Sequence, residues 1–238
     1  MGNDFNQPLV ATASLRVLAA ILLCCFALPG CDRTYFADPI TATVVDAETK
    51  QPLEGVVVAA RWEMKGGLEG GNVGAEVMIM EAVTDSAGKF HFPAWGPLDV
   101  HVGFLSNAKL TNDTPEMDFF KSGYELGMKA NFSTTKTMNG VGPHLFSEWN
   151  GKTIEMKKFE GDLQAYASYL GIFFPDYAFE GHCNWRKIPA MILALRDQTN
   201  IFQNAGIHTG TFYTSLSMND GFGCGPFEQF LKEHGQRN

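Results

Sequence analysis

The residues with the widest chemical reach lie in the last third of the chain. "EGHCNW" (residues 180–185) places Glu180, His182 and Cys183 within four positions, "DGFGCGPF" (residues 220–227) carries Cys224, and His208 falls between them. A carboxylate, two imidazoles and two thiols are ligands that suit zinc, and a thiol beside an imidazole suits nucleophilic chemistry. The spacing supports neither use, because no CxxC or HxxxH accompanies either cysteine. A disulfide between Cys183 and Cys224 with surface histidines nearby accounts for the same residues, and that is the reading preferred here, with no metal and no cofactor. GxSxG, HExxH, P-loop and GxGxxG patterns do not occur, so no catalytic residue is assigned. Trp62, Trp95, Trp149 and Trp185 are candidate platforms for a sugar ring, although side chains of that size more often pack in a core.

The other three cysteines sit at the N-terminus. Residues 17–30, "VLAAILLCCFALPG", are apolar or small throughout, follow Arg16 and end in Gly30. A helix of that length falls short of the roughly 20 residues of a bilayer span, and a positive flank, a short apolar core and a small residue make the order of a secretory signal. "LPGC" (Leu28, Pro29, Gly30, Cys31) resembles a bacterial lipobox. The resemblance implies that residues 1–30 are a signal peptide, that Cys31 is the lipid attachment residue, and that the mature chain is anchored in the bacterial cell envelope, facing the periplasm. Cys183 and Cys224 are then an even pair in an oxidising compartment. A net charge of −8 lacks the basic face that nucleic acid needs and identifies no partner by itself. The lipobox resemblance implies the membrane as partner, through the lipid on Cys31, and an envelope protein or glycan is the further expectation.

Three β-rich runs follow: residues 40–46, 56–63 and 76–84. The first two are joined by "AETKQPLEG", whose Pro52 and Gly55 read as the turn of a hairpin. In "TDSAGKFHF", Asp85 and Gly88 form a tight turn before a strand with Phe90 and Phe92 on one face. Asp46 and Asp85 flank turns, where a carboxylate caps backbone amides, and Tyr124 reads as a corner or core residue.

Val44, Asp46, Thr49, Pro52, Leu53, Gly55 and Val58, then Thr84, Asp85, Gly88, Phe90 and Phe92, resemble the carboxypeptidase regulatory-like domain family, and "FFKSGYE" (residues 119–125) is similar to that family's later Gly-Tyr segment. The resemblance implies a mainly β fold, an antiparallel seven-stranded transthyretin-like β-sandwich, and an accessory or adhesive module without chemistry. Transthyretin-like hydrolases end in a Tyr-Arg-Gly-Ser signature, whereas this chain ends "HGQRN".

From residue 159 the period changes. Phe159, Leu163, Tyr166 and Leu170 recur at helical spacing and Gly171 ends the run. Ile188, Met191, Ile192, Leu195 and Phe202 form one stripe behind Pro189, and Phe227, Phe230 and Leu231 form a short one between Pro226 and Gly235. The expected organisation is a signal peptide (1–30), a short tether (31–37), the sandwich (38–158) and an α-helical C-terminal extension (159–238). The expected function is a lipid-anchored envelope protein that binds or scaffolds without catalysis. The alternatives are a periplasmic enzyme or metal-binding protein using Glu180, His182 and His208, and carbohydrate binding.

Overall fold

Alternation along the first β-rich run decides the start of the fold. Ile40, Ala42 and Val44 are buried on one face, and the run forms a strand over the expected residues, Ile40–Asp46. The computed structural model describes residues 32–65, 75–101, 109–110, 114–131, 136–138, 141–172, 183–207 and 223–235. In chain order the strands are β1 (Asp32–Ala37), β2 (Ile40–Asp46), β3 (Val57–Lys65), β4 (Ala75–Val83), β5 (Lys89–Phe92), β6 (Trp95–His101), β7 (Lys109–Leu110), β8 (Glu116–Phe120), β9 (Gly127–Lys129), β10 (Lys136–Met138), β11 (Val141–Leu145) and β12 (Thr153–Met156). The helices are α1 (Leu163–Ile172), α2 (Pro189–Asn204) and α3 (Phe227–Gly235), with a 3-10 turn at Asn184–Lys187 before α2.

The strands do not make the expected seven-stranded antiparallel transthyretin-like sandwich. They make three sheets in the orders β10-β11-β1-β6, β12-β2-β5 and β4-β3-β8-β9, with β7 added to β3. Two pairings are parallel: β1 with β11, and β12 with β2. With the helices packed against one sheet, the architecture is mixed α/β. The reason lies in chain separation, since each parallel partner is more than a hundred residues away and local alternation carries no trace of it.

The expected hairpin between β2 and β3 is also corrected. β2 pairs with β5 and β12, β3 pairs with β4, β7 and β8, and the intervening segment crosses from one sheet to another. Thr84 holds that crossing: its hydroxyl donates to the Leu53 carbonyl at 2.6 Å and accepts the Val56 amide at 2.8 Å. Residues 32–37, expected as a tether, form β1 in the interior of a sheet, between β6 and β11.

The sheet centred on β3 is covered on both faces. Val58, Ala60, Trp62 and Met64 of β3, with Met117 and Phe119 of β8, pack against Ile40, Val44, Phe90, Phe92 and Ile154 of the neighbouring sheet. Val57, Ala59, Ile79 and Phe120 point the other way, onto Trp185, Ile188, Met191, Ile192, Leu195, Phe227 and Phe230. The stripe read from the sequence in α2 is the one that meets this sheet. Helix α1 runs one residue past Gly171 and builds a smaller aromatic cluster in which Tyr166 packs with Phe159 and Phe202. The Tyr166 hydroxyl accepts the Gly123 amide and donates to the Tyr124 carbonyl, and the Tyr169 hydroxyl accepts the Leu126 amide. Burial pushes the Tyr166 phenol up to about 12, so at any working pH it stays a neutral donor.

Candidate functional site

Cys31, Glu180, His182 and His208 lie outside the described residues. Cys183 and Cys224 form the expected disulfide, 41 positions apart, with Cα atoms at 5.4 Å. With both sulfurs bonded to each other, neither serves as a thiolate ligand or nucleophile. The bond ties the start of the 3-10 turn to the residues just before α3. Among the described residues, no group of three His, Cys, Asp or Glu is placed to hold a metal ion.

Three of the four tryptophans are core residues. Trp62, Trp95 and Trp185 are only 1%, 8% and 2% exposed. Trp62 and Trp95 meet edge to face at 5.6 Å inside the core. Trp149 is half-buried, donates its ring N–H to the Ala130 carbonyl at 3.0 Å, and has the Lys129 ammonium 5.5 Å from its ring centroid.

The buried ionisable groups make contacts that local sequence signals do not reveal. Asp46, expected at a turn, does more than cap it. Its Oδ1 accepts the amides of Glu48 at 3.0 Å and Thr49 at 2.8 Å, while its Oδ2 accepts the Tyr124 hydroxyl at 2.9 Å and lies 3.7 Å from the Lys158 ammonium. One carboxylate thus joins the β2 turn to the Gly-Tyr segment and to the chain after β12. The Thr49 amide, foremost, outweighs the opposing effect of burial and, with Tyr124 and Glu48, holds this carboxyl well below the usual range. A depressed pKa contributes stability that is present above the ordinary value of 3.8 and is lost as pH falls. The stability gap between the native chain and Asp46→Asn therefore narrows below that pH, which melting curves across the acid range will measure. Tyr124, its phenol pushed up to about 12 by burial and by Asp46, is the buried corner residue expected. Asp85 caps its own turn as read, accepting the amides of Ala87 and Lys89 at 2.9 Å. Gly88 holds the same turn at φ +71°, and a Cβ there would collide with the Val44 carbonyl.

Glu81 was not singled out from the sequence. It stands on the helix-facing side of β4, in phase with Ile79, and meets the first turn of α2. Its Oε2 accepts the Ala190 amide at 2.8 Å and its Oε1 the Met191 amide at 2.6 Å. These are amides a helix start leaves without intrahelical partners, and a carboxylate there also meets the positive end of the helix dipole. Burial nevertheless dominates and pushes the acid up to about 7, against the two amide bonds. A raised acid pKa contributes stability that is complete below the ordinary 4.5 and is lost as pH rises through about 7. Glu81→Gln, which cannot titrate, should show a smaller loss of stability across that interval than the native chain. Glu81→Ala removes both acceptors and should cost about 1–2 kcal/mol, the scale of a lost helix cap, in urea unfolding.

On the same face of the central sheet, Arg61 of β3 anchors a set of charges. Its guanidinium lies 2.7 Å from Glu116 Oε2 and 3.6 Å from Glu63 Oε2. Asp118 adds to the negative field, and Glu63 and Asp118 are themselves buried. Burial works against the charged guanidinium, but the Glu116 hydrogen bond and the surrounding carboxylates prevail and raise its pKa. This network faces the helical layer and pins β3 to β8. Arg61 and Glu63 share a phase with Val57 and Ala59, so charge in an otherwise apolar phase was the available signal.

Two open grooves lie among the described residues. One of about 510 Å³ runs between α2 and α3, lined by Arg196, Thr199, Asn200, Gln203, Glu228 and Lys232 among others. The other, about 250 Å³, separates the edge strands β9 and β12 and includes Glu125, Lys129, Glu155 and Lys157. Both mix acid and base, so neither favours one sign of ligand.

No known family profile and no curated protein matches the chain. Among solved structures, similarity extends to 3-chlorocatechol 1,2-dioxygenase from Rhodococcus opacus 1CP, at 14% identity over 55% of this chain and 62% of that one, with a TM-score of 0.30. It extends also to chlorocatechol 1,2-dioxygenase from Pseudomonas putida, at 11% identity over 53% and 60% of the two chains and a TM-score of 0.28. The major pilin SpaA of Corynebacterium diphtheriae aligns at 14% identity over 53% of this chain and 31% of its own, also at 0.28. The chain thus spans less than two thirds of each of these proteins, and likenesses of this size carry no argument about activity.

Proposed function

We propose that this chain is a lipid-anchored protein of the bacterial cell envelope, attached through Cys31, with a binding or scaffolding role on the periplasmic side. The observation that carries the reading is where the first described strand starts. "LPGC" ends at Cys31, and β1 starts at the very next residue, Asp32. A leader that ends where the first hydrogen-bonded strand begins can be removed without taking any described part of the fold with it. Among the described residues, no helix is long and apolar enough to cross a membrane. In this reading the lipid on Cys31 is the attachment.

A binding or scaffolding role is supported by how the described buried charges are used. Asp46, Glu81 and Arg61 each join separate elements, and none of them lines either groove described above. The closed Cys183–Cys224 bond suits an oxidising compartment. Metabolic labelling with a fatty acid, followed by membrane fractionation, tests the anchor. The native chain should carry label and sediment with membranes, whereas Cys31→Ser should lose the label and leave the membrane fraction or accumulate as precursor. Label retained on Cys31→Ser would refute attachment at this residue.

A further inference from the structure

We infer that one particular end of the protein lies against the bilayer: the end formed by the start of β1, the finish of β6, the last residue of β10 and the first of β11. The inference rests on the proposed acylation of Cys31 and adds an orientation to it. An acylated cysteine is usually pictured on a flexible tether that leaves its domain free to tumble. Here β1 begins at Asp32, so the acylated residue and the first strand residue are joined by one peptide bond, about 3.8 Å between Cα atoms.

Strand β1 is not a free edge that could peel away to serve as a tether. It is paired on both sides, antiparallel to β6 and parallel to β11. The register fixes what surrounds its first residue. Asp32 pairs with His101, the last residue of β6. Phe36 pairs with His144 and Ala37 with Leu145 in the parallel ladder, so β11 runs in the same direction as β1 and its first residue, Val141, lies toward the Asp32 end. Val141 in turn pairs with Met138, the last residue of β10. His101, Met138 and Val141 therefore share the end of the sheet at which the lipid would attach. The opposite end holds Ala37 paired with Trp95, followed by Asp38, whose amide bonds the Leu145 carbonyl. Six residues of strand separate the two ends by roughly 17–20 Å, several times the reach of the linking peptide bond.

The occupant of this end is the bilayer surface itself. Two acyl chains fix Cys31 at the headgroup level, and the strand pairing carries that restraint into the whole sheet. Charge is not the driving term, since the chain is net negative; phosphatidylcholine vesicles are therefore a suitable membrane.

The test uses the acylated full-length mature protein, labelled with an environment-sensitive fluorophore at Met138→Cys or, on the opposite end, Ala94→Cys. The native disulfide is left intact. Vesicles of phosphatidylcholine containing a headgroup-nitroxide lipid report proximity by quenching, and intact mass reports acylation in the same samples. Quenching should be several-fold stronger at position 138 than at 94. A flexible insert of about ten Gly and Ser residues between Cys31 and Asp32, spanning roughly 17 Å, should largely erase the difference. Labels at His101 and Pro93 repeat the comparison should either first variant fail to fold. Equal quenching at the two ends of the acylated protein, or stronger quenching at 94, overturns the orientation alone. A Cys31 without acyl groups overturns the anchor and the orientation together.

Discussion

Replacing Cys224 with serine lowers the melting temperature of the protein by about 10 °C and leaves one free thiol at Cys183. The figure follows from the 41-residue separation of the two cysteines: closing a loop of that length in the unfolded chain corresponds to about 4 kcal/mol in the chain-entropy description. At about 2–4 °C per kcal/mol for a chain of this size, the shift is easily read by calorimetry or circular dichroism. The location adds to the effect. Cys224 is buried in the same cluster as Trp185, Phe227 and Phe230, so the bond holds α3 against the 3-10 turn and α2. Two thiols that alkylate readily in protein taken from the envelope would contradict the bond and return both cysteines to the pool of candidate ligands.

Truncating Trp185 to alanine should cost about 4 kcal/mol, the range of a fully buried large aromatic. Its ring meets Phe227 edge-on at 5.3 Å and Phe230 at 4.8 Å, with the Arg186 guanidinium 4.9 Å from its centroid. These contacts sit where the helical layer meets the central sheet, so the variant should expose the apolar face of β3, β4 and β8. Dye binding to exposed apolar surface should rise in parallel with the fall in urea midpoint. Because Trp185 and the disulfide share neighbours, the Trp185→Ala, Cys224→Ser double variant should lose less than the sum of the two single losses. A Trp185→Ala cost below about 1 kcal/mol would mean that the helices are not docked through this residue.

Several elements were legible because their signals are local. β2 covers the run read as a strand, the stripes of α2 and α3 are buried as spaced, and Asp46 and Asp85 cap the turns they flank. The grouping of strands into sheets was not, because Thr43 pairs with Thr153 and Phe36 with His144, across separations no periodic pattern records. One clue to the layering is nonetheless local. Residues 56–60, "VVVAA", are apolar without alternation, the mark of a strand buried on both faces, which argues for a sheet with a layer on each side. A transthyretin-like sandwich leaves its outer faces to solvent, whereas the helices read separately as an appendix supply the missing layer. Glu81 carried a similar clue as a carboxylate in the apolar phase of β4, but its amide partners lie more than a hundred residues along the chain. The candidate residues Glu180, His182 and His208 had no such phase or spacing to place them.

The central claim, attachment through Cys31, is tested most directly by the intact mass of the chain isolated from the envelope. The account predicts a mass that begins at Cys31 and exceeds the polypeptide by its acyl groups. A mature membrane form that still begins at Met1, or one whose Cys31 carries no lipid, would contradict it.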